Sequence, residues 1–209
     1  MIGTSPEDSL GHADEPELVR HLLRDWHWGD PVLSAVGVLP GSVTRPEVML
    51  SDFGRDDDLD LLSARVGTPH EATAVQFKLA KVSESTYYTL MPNKLKELPK
   101  LFRQTNALID LGFHRVVACL IILIDARKTP DGQFVVGGLT ETLRPVIDAR
   151  ITLKGLHKAA GLVRVDLVQD ADAAPLTSGE ISCNTIRSAI TRRQALQVTE
   201  WVAKVLIAA

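Results

Sequence analysis

The run Val116-Val117-Ala118-Cys119-Leu120-Ile121-Ile122-Leu123-Ile124 constrains the fold more than any other stretch of this chain. It is too short for a membrane helix and has no polar face. It therefore reads as a strand buried on both sides, the centre of a sheet covered by helices. Just before it, residues 98–111 place Leu98, Leu101, Phe102, Thr105, Leu108, Ile109 and Leu111 at helical spacing. Pro99 falls in the first turn of that helix, and Gly112 stands where a C-terminal cap belongs. A strand, this helix and the buried strand together predict a right-handed parallel crossover.

The strand that enters the crossover is found at residues 72–82 (ATAVQFKLAKV), rich in Val, Phe and Leu. Residues 56–66 (DDDLDLLSARV) pass from an acidic turn into an apolar run, and Gly67, Pro69 and His70 occupy the loop between the two. Upstream, residues 45–51 form an edge strand, with Pro46 near its start, where a missing N–H costs least. The turn Asp52-Phe53-Gly54-Arg55-Asp56 then closes a β-hairpin spanning 47–66. An opening helix is expected over 15–27, with Leu18, Val19, Leu22, Leu23 and Trp26 as its apolar stripe and Asp14 and Glu17 spaced as a capping box. Residues 161–168 read as a further strand and 140–159 resist assignment. Residues 184–207 read as a long helix, with Ile190, Val198, Val202 and Val205 inward and Arg187, Arg192, Arg193 and Lys204 outward. The expected class is α/β, a mixed sheet with flanking helices. Residues 1–13 form a loose tail and 14–209 one domain.

Side chains two apart on a strand share a face, so Gln76 and Lys78 project together, and a paired strand brings Asp60, just ahead of Leu61-Leu62, beside them. Singly, each has an ordinary structural role: a solvated turn acid, an amide at a strand edge, a water-facing lysine. Jointly, they place a carboxylate, a carboxamide and an ammonium at one end of a sheet.

This arrangement resembles the PD-(D/E)xK nuclease superfamily over roughly residues 45–125, in the Asp…Gln-x-Lys form of Mrr-type restriction endonucleases. The proline of the family's name is absent before Asp60, and Asp56, Asp57 and Asp58 offer neighbouring carboxylates. The resemblance implies a restriction-endonuclease-like αβββαβ core and metal-dependent hydrolysis of phosphodiester bonds. It implies Mg²⁺ or Mn²⁺ held by Asp60, Gln76 and a main-chain carbonyl near Phe77, with Lys78 orienting water. Glu47 would supply the negative charge that Gln76 lacks, and Glu17 is a further acid on the opening helix. Lys81, Lys100, Arg103 and Gln104 are expected at the nucleic acid, DNA in the first instance. Lys94, Lys96, Tyr87 and Tyr88 stand close by in sequence as further phosphate-binding and stacking groups. With no separate target-recognition segment, a protein partner within a restriction or anti-phage defence assembly is implied. The alternative is a catalytically inactive nuclease-fold protein that binds nucleic acid or a protein partner.

A net charge of −3 over 209 residues gives no general attraction to a polyanion, so any nucleic-acid surface must be local. Cys119 and Cys183 form neither a disulfide framework nor a metal-ligand spacing. The first thirteen residues lack the pattern of a signal peptide, so a cytoplasmic location without membrane association is expected.

Overall fold

In a computed structural model, which describes residues 15–82, 93–125, 143–169 and 179–207, the chain opens on two consecutive helices, α1 (Glu15–Arg24) and α2 (Trp26–Ala35). The sequence predicts one helix over 15–27. Asp25 divides it, because its extended backbone leaves the helical path and its carboxylate accepts the His27 amide at 2.9 Å, capping α2. Trp28, Val32 and Val36 then bury a second stripe at four-residue spacing. Gly29 is required where α2 turns back on α1, since a Cβ there would stand 2.0 Å from the Leu22 carbonyl oxygen.

The strands follow as β1 (Val43–Met49), β2 (Asp58–Ala64) and β3 (Thr73–Val82); α3 (Leu98–Leu111) leads to β4 (Arg115–Asp125), and α4 (Leu143–Arg150) to β5 (Gly161–Gln169). Then come β6 (Gly179–Arg187) and α5 (Leu196–Ile207). Among the described residues the strands form one six-stranded sheet in the order β1-β2-β3-β4-β5-β6. β1, β2 and β3 are antiparallel neighbours, β3, β4 and β5 run parallel, and β6 is antiparallel to β5. The apolar run of β4 is interior to this sheet and buried throughout Val116–Ile124. α3 has the bounds expected, and Gly112 closes it in the left-handed conformation at φ 93°.

The long helix expected over 184–207 is not found. Residues 179–187 pair with β5, where Ile181 and Cys183 alternate inward, and helix begins only at Leu196. The β-branched Ile181, Thr185 and Ile186 favour the strand, and pairing with β5 supplies the backbone partners that decide it. Val198 and Val202 face the core as expected, whereas Ile190 is 57% exposed.

Two cores cover the sheet. On one face α1 and α2 pack on the odd positions of β3, Val75, Phe77 and Leu79. On the other, α3 and α5 pack on Ala74, Ala80 and Val82, with Trp201 of α5 edge-on to Phe53 and Phe113. Gln76 and Lys78 belong to this second face by alternation. Residues 1–14 and Tyr87 and Tyr88 lie outside the described residues. Among the described residues no helix is long and apolar enough to cross a membrane.

Candidate functional site

β2 and β3 part company after Leu61 and Val75. Their pairing runs only from Ser63 with Thr73 to Leu61 with Val75, whereas β3 continues beside β4 to Val82. The amides of β3 that point toward the departed strand need other acceptors. Phe77 donates to Asp60 Oδ2 at 2.7 Å, and Leu79 donates to Glu15 Oε2 at 2.6 Å. Two carboxylates from different elements thus replace the missing strand. Amides two apart on a strand stand about 6.7 Å from one another, which sets the acids side by side in the fork.

Lys78 reaches into the same fork. Its ammonium lies 3.4 Å from Glu15 Oε2 and 3.3 Å from Glu97 Oε2, the latter at the N-cap of α3. Burial alone would lower its pKa, but the charges and hydrogen bonds of Glu15 and Glu97 outweigh that and hold it above the ordinary lysine value. The pKa of Asp60 is raised too, but for a carboxyl group that favours the uncharged form. Burial pushes its pKa up to about 7, Glu15 and Asp58 add to the rise, and the Phe77 amide and Lys78 only partly oppose it. The fork is thus a place where negative charge is crowded and poorly solvated.

Gln76 is 2% exposed and donates its Nε2 to the Asp58 carbonyl oxygen at 2.8 Å. The bond holds the start of β2 across the fork, and the amide oxygen is the atom left to a cation. Glu47 falls opposite Asp60 by register, between the pairs Pro46 with Leu61 and Val48 with Leu59. Its side chain turns to Arg20 of α1 at 3.4 Å, and its backbone is left-handed at φ 51°. Glu17 is exposed on α1. Lys100 and Arg103 are exposed along α3, and Gln104 and Lys81 are half-buried.

Glu15 and Glu97 are the groups that sequence reasoning missed. A signal for each existed. Glu15 is three and four residues ahead of the buried Leu18 and Val19, in line with the apolar stripe of α1, while Glu17 lies off that line. Glu97 similarly precedes Leu101 by four on the buried face of α3. A carboxylate aligned with a core stripe needs a partner inside the protein.

The fork offers hard oxygen donors, and Asp60 and the Gln76 amide oxygen are the groups that could hold a cation. Mg²⁺ takes one or two carboxylates and keeps several waters. A cation on Asp60 would relieve the burial penalty on its charge. Among the described residues no three His, Cys, Asp or Glu side chains group at metal-holding distance.

Fold and fork define a mixed α/β protein, a central sheet flanked by helices in an arrangement broadly consistent with the restriction-endonuclease-like one. No protein-family model and no curated protein matches the chain. Among solved structures it is similar to SPO1766, a protein of unknown function from Silicibacter pomeroyi, with 14% identity, a TM-score of 0.31 and coverage of 99% of this chain and 87% of that one. It is also similar to SfsA of Pyrococcus furiosus, solved in complex with Ca²⁺, with 15% identity, a TM-score of 0.31 and coverage of 83% of this chain and 64% of that one. Neither likeness assigns a residue or an activity to this chain.

Proposed function

We propose that this protein binds nucleic acid through a divalent-cation-assisted phosphate contact at the β2–β3 fork, as a nuclease-fold binding protein. The observation that carries the reading is the convergence of Asp60, Glu15 and Lys78 on the open edge of β3. With Asp58 and Glu97 also close, carboxylates outnumber lysines among the described residues of the fork, so a phosphate meets net repulsion until a cation joins. Asp60 and the Gln76 amide oxygen would hold that cation, and Mg²⁺ or Mn²⁺ there supplies charge neutralisation and, for hydrolysis, activation of a water. Lys78, held in its charged form by Glu15 and Glu97, faces the phosphate oxygens. Lys100 and Arg103 on α3 extend the contact along the backbone.

A second reading, hydrolysis of the phosphodiester, is favoured by one observation. A carboxyl group with a pKa near 7 beside a charged lysine can take up or release a proton at neutral pH. Against turnover, Gln76 replaces an acid and its Nε2 is committed to the Asp58 carbonyl oxygen.

Binding of labelled duplex DNA, single-stranded DNA and RNA, with and without Mg²⁺, tests the first reading in the native chain, Asp60→Asn and Lys78→Met. Binding that requires Mg²⁺ and falls at least tenfold in both variants supports it. Cation-independent binding, unchanged in both, overturns it. Cleavage of the same substrates, lost in both variants, would establish the second reading.

A further inference from the structure

At the other end of β3, about 20 Å along the strand from the fork, a cavity of about 740 Å³ opens between the turn Pro69–Glu71, the start of β4 and the N-terminus of α5. Its lining includes His70, Glu71, His114, Arg192, Arg193 and Gln194.

Gln194 makes the floor rigid. It is 8% exposed, its Oε1 accepts the amides of Ala72 and His114 at 3.2 Å each, and its Nε2 donates to the Pro69 carbonyl oxygen at 2.8 Å and to Thr199 Oγ1 at 3.1 Å. One buried carboxamide thereby ties together three segments distant in sequence. His114 Nδ1 lies 2.6 Å from the Arg192 carbonyl oxygen. A carbonyl oxygen can only accept, so Nδ1 carries the ring proton and Nε2 is the nitrogen left to a ligand. Arg192 places one N–H on the Ile109 carbonyl oxygen at 3.3 Å, which fixes the guanidinium at the rim, and Arg193 beside it is exposed. The first-turn amides of α5 add partial positive charge at the same mouth.

Among the described residues that line the cavity, two guanidinium groups, two imidazoles and a helix N-terminus stand against one carboxylate, Glu71. Forked guanidinium donors match the oxygens of a phosphate, and a helix N-terminus favours its charge. With Nδ1 holding a proton, His114 Nε2 donates to an ionised phosphate oxygen on the imidazolium and accepts from a protonated one on the neutral ring. The volume falls in the range of ligand sites and exceeds what one inorganic anion needs. We propose that the cavity between the Pro69–Glu71 turn, His114 and Arg192-Arg193 is a phosphate-ester site, filled by a soluble phosphate ester or by a backbone phosphate of nucleic acid. It stands apart from the fork and does not depend on cation binding there.

Amide and imidazole NMR signals, followed during titration with inorganic phosphate and with a short single-stranded oligonucleotide at constant ionic strength, test this directly. The comparison is between the native chain and Arg193→Gln/His70→Gln, both exposed positions whose replacement leaves the Gln194 network intact. Saturable shifts at residues 191–199, His70 and His114, with affinity at least tenfold weaker in the double variant, are expected. Saturation by the oligonucleotide at the same signals assigns the phosphate to a nucleic-acid backbone; saturation by phosphate alone assigns it to a soluble ester. Shifts that never saturate, that chloride reproduces, or that persist unchanged in the double variant overturn the site.

Discussion

The Asp60 carboxylate accepts the Phe77 amide at 2.7 Å, at the point where β2 has ceased to pair with β3. One side chain therefore closes the end of the β2–β3 pairing and holds a carboxyl group whose charge burial disfavours. The two roles have different chemistry: the amide needs an acceptor oxygen, which Asn also provides, whereas burial penalises the negative charge, which Asn lacks.

That separation gives a pH test. Burial raises Asp60 from 3.8 to about 7, so between those values the folded protein holds a proton that the unfolded chain has released. The stability from this protonation is complete below pH 3.8 and is lost as pH rises through 7, a difference of about 4 kcal/mol. Asp60→Asn removes this component. Urea midpoints taken from pH 4 to 8 should fall more steeply in the native chain than in the variant; parallel profiles would contradict the burial of the charge. On the proposed function a cation would compete with the same proton, so Mg²⁺ should bind more tightly as pH rises through 7.

Glu15 and Glu17 are separable in a second experiment. Glu15 raises the Asp60 pKa and helps to hold Lys78 charged, while accepting the Leu79 amide. Glu15→Gln retains an acceptor and deletes the charge, so the Asp60 titration, followed by carboxyl carbon NMR, should move down. Glu17→Gln should leave it in place. An Asp60 titration indifferent to Glu15→Gln would mean that the two acids do not share the fork.

The sheet was legible because its signals are local and redundant. The nine apolar residues of β4, the helical spacing and Gly112 cap of α3, and the alternation in β3 each name their element without help from the rest of the chain. What was illegible depends on partners remote in sequence. β6 is a strand because β5 lies beside it, and Ile181-Ser182-Cys183-Asn184 carries too weak a period of its own to say so. Strand spacing predicts that Asp60 and Lys78 lie near one another, and the charge of Lys78 is felt at Asp60, although the ion pairs of Lys78 are with Glu15 and Glu97. Glu15 was hidden because its acceptor role exists only where β2 leaves β3, and the amide it accepts is 64 residues downstream.

Glu47 holds a left-handed backbone at φ 51°, which costs a residue with a Cβ about 1–2 kcal/mol. Its ion pair with Arg20 is roughly half exposed on both sides and offsets at most about 1 kcal/mol. Glu47→Gly should therefore stabilise the protein by roughly 0.5–1 kcal/mol. Glu47→Ala, which keeps the strain and loses the ion pair, should destabilise it slightly. Chemical denaturation of both variants checks the difference, and nucleic-acid binding that survives Glu47→Gly would exclude Glu47 from the cation's ligands.

Arg164 on β5 is 6% exposed and pairs through two bonds with Asp166, at 2.7 and 2.8 Å, and also with Asp148 of α4. Burial alone would lower its pKa, yet the two carboxylates hold it above the ordinary arginine value. Breaking such a cluster from one side leaves a charge buried without its counterion, so Arg164→Met should destabilise by about 3–5 kcal/mol. Replacing both partners removes the unpaired charge along with the bond. Arg164→Met/Asp166→Leu should therefore recover most of the loss, in spite of carrying two substitutions. Urea denaturation of the two variants decides whether the cluster acts through charge pairing. If the double variant is the less stable, packing and the Asp148 contact dominate, and α4 is held to the sheet by more than electrostatics.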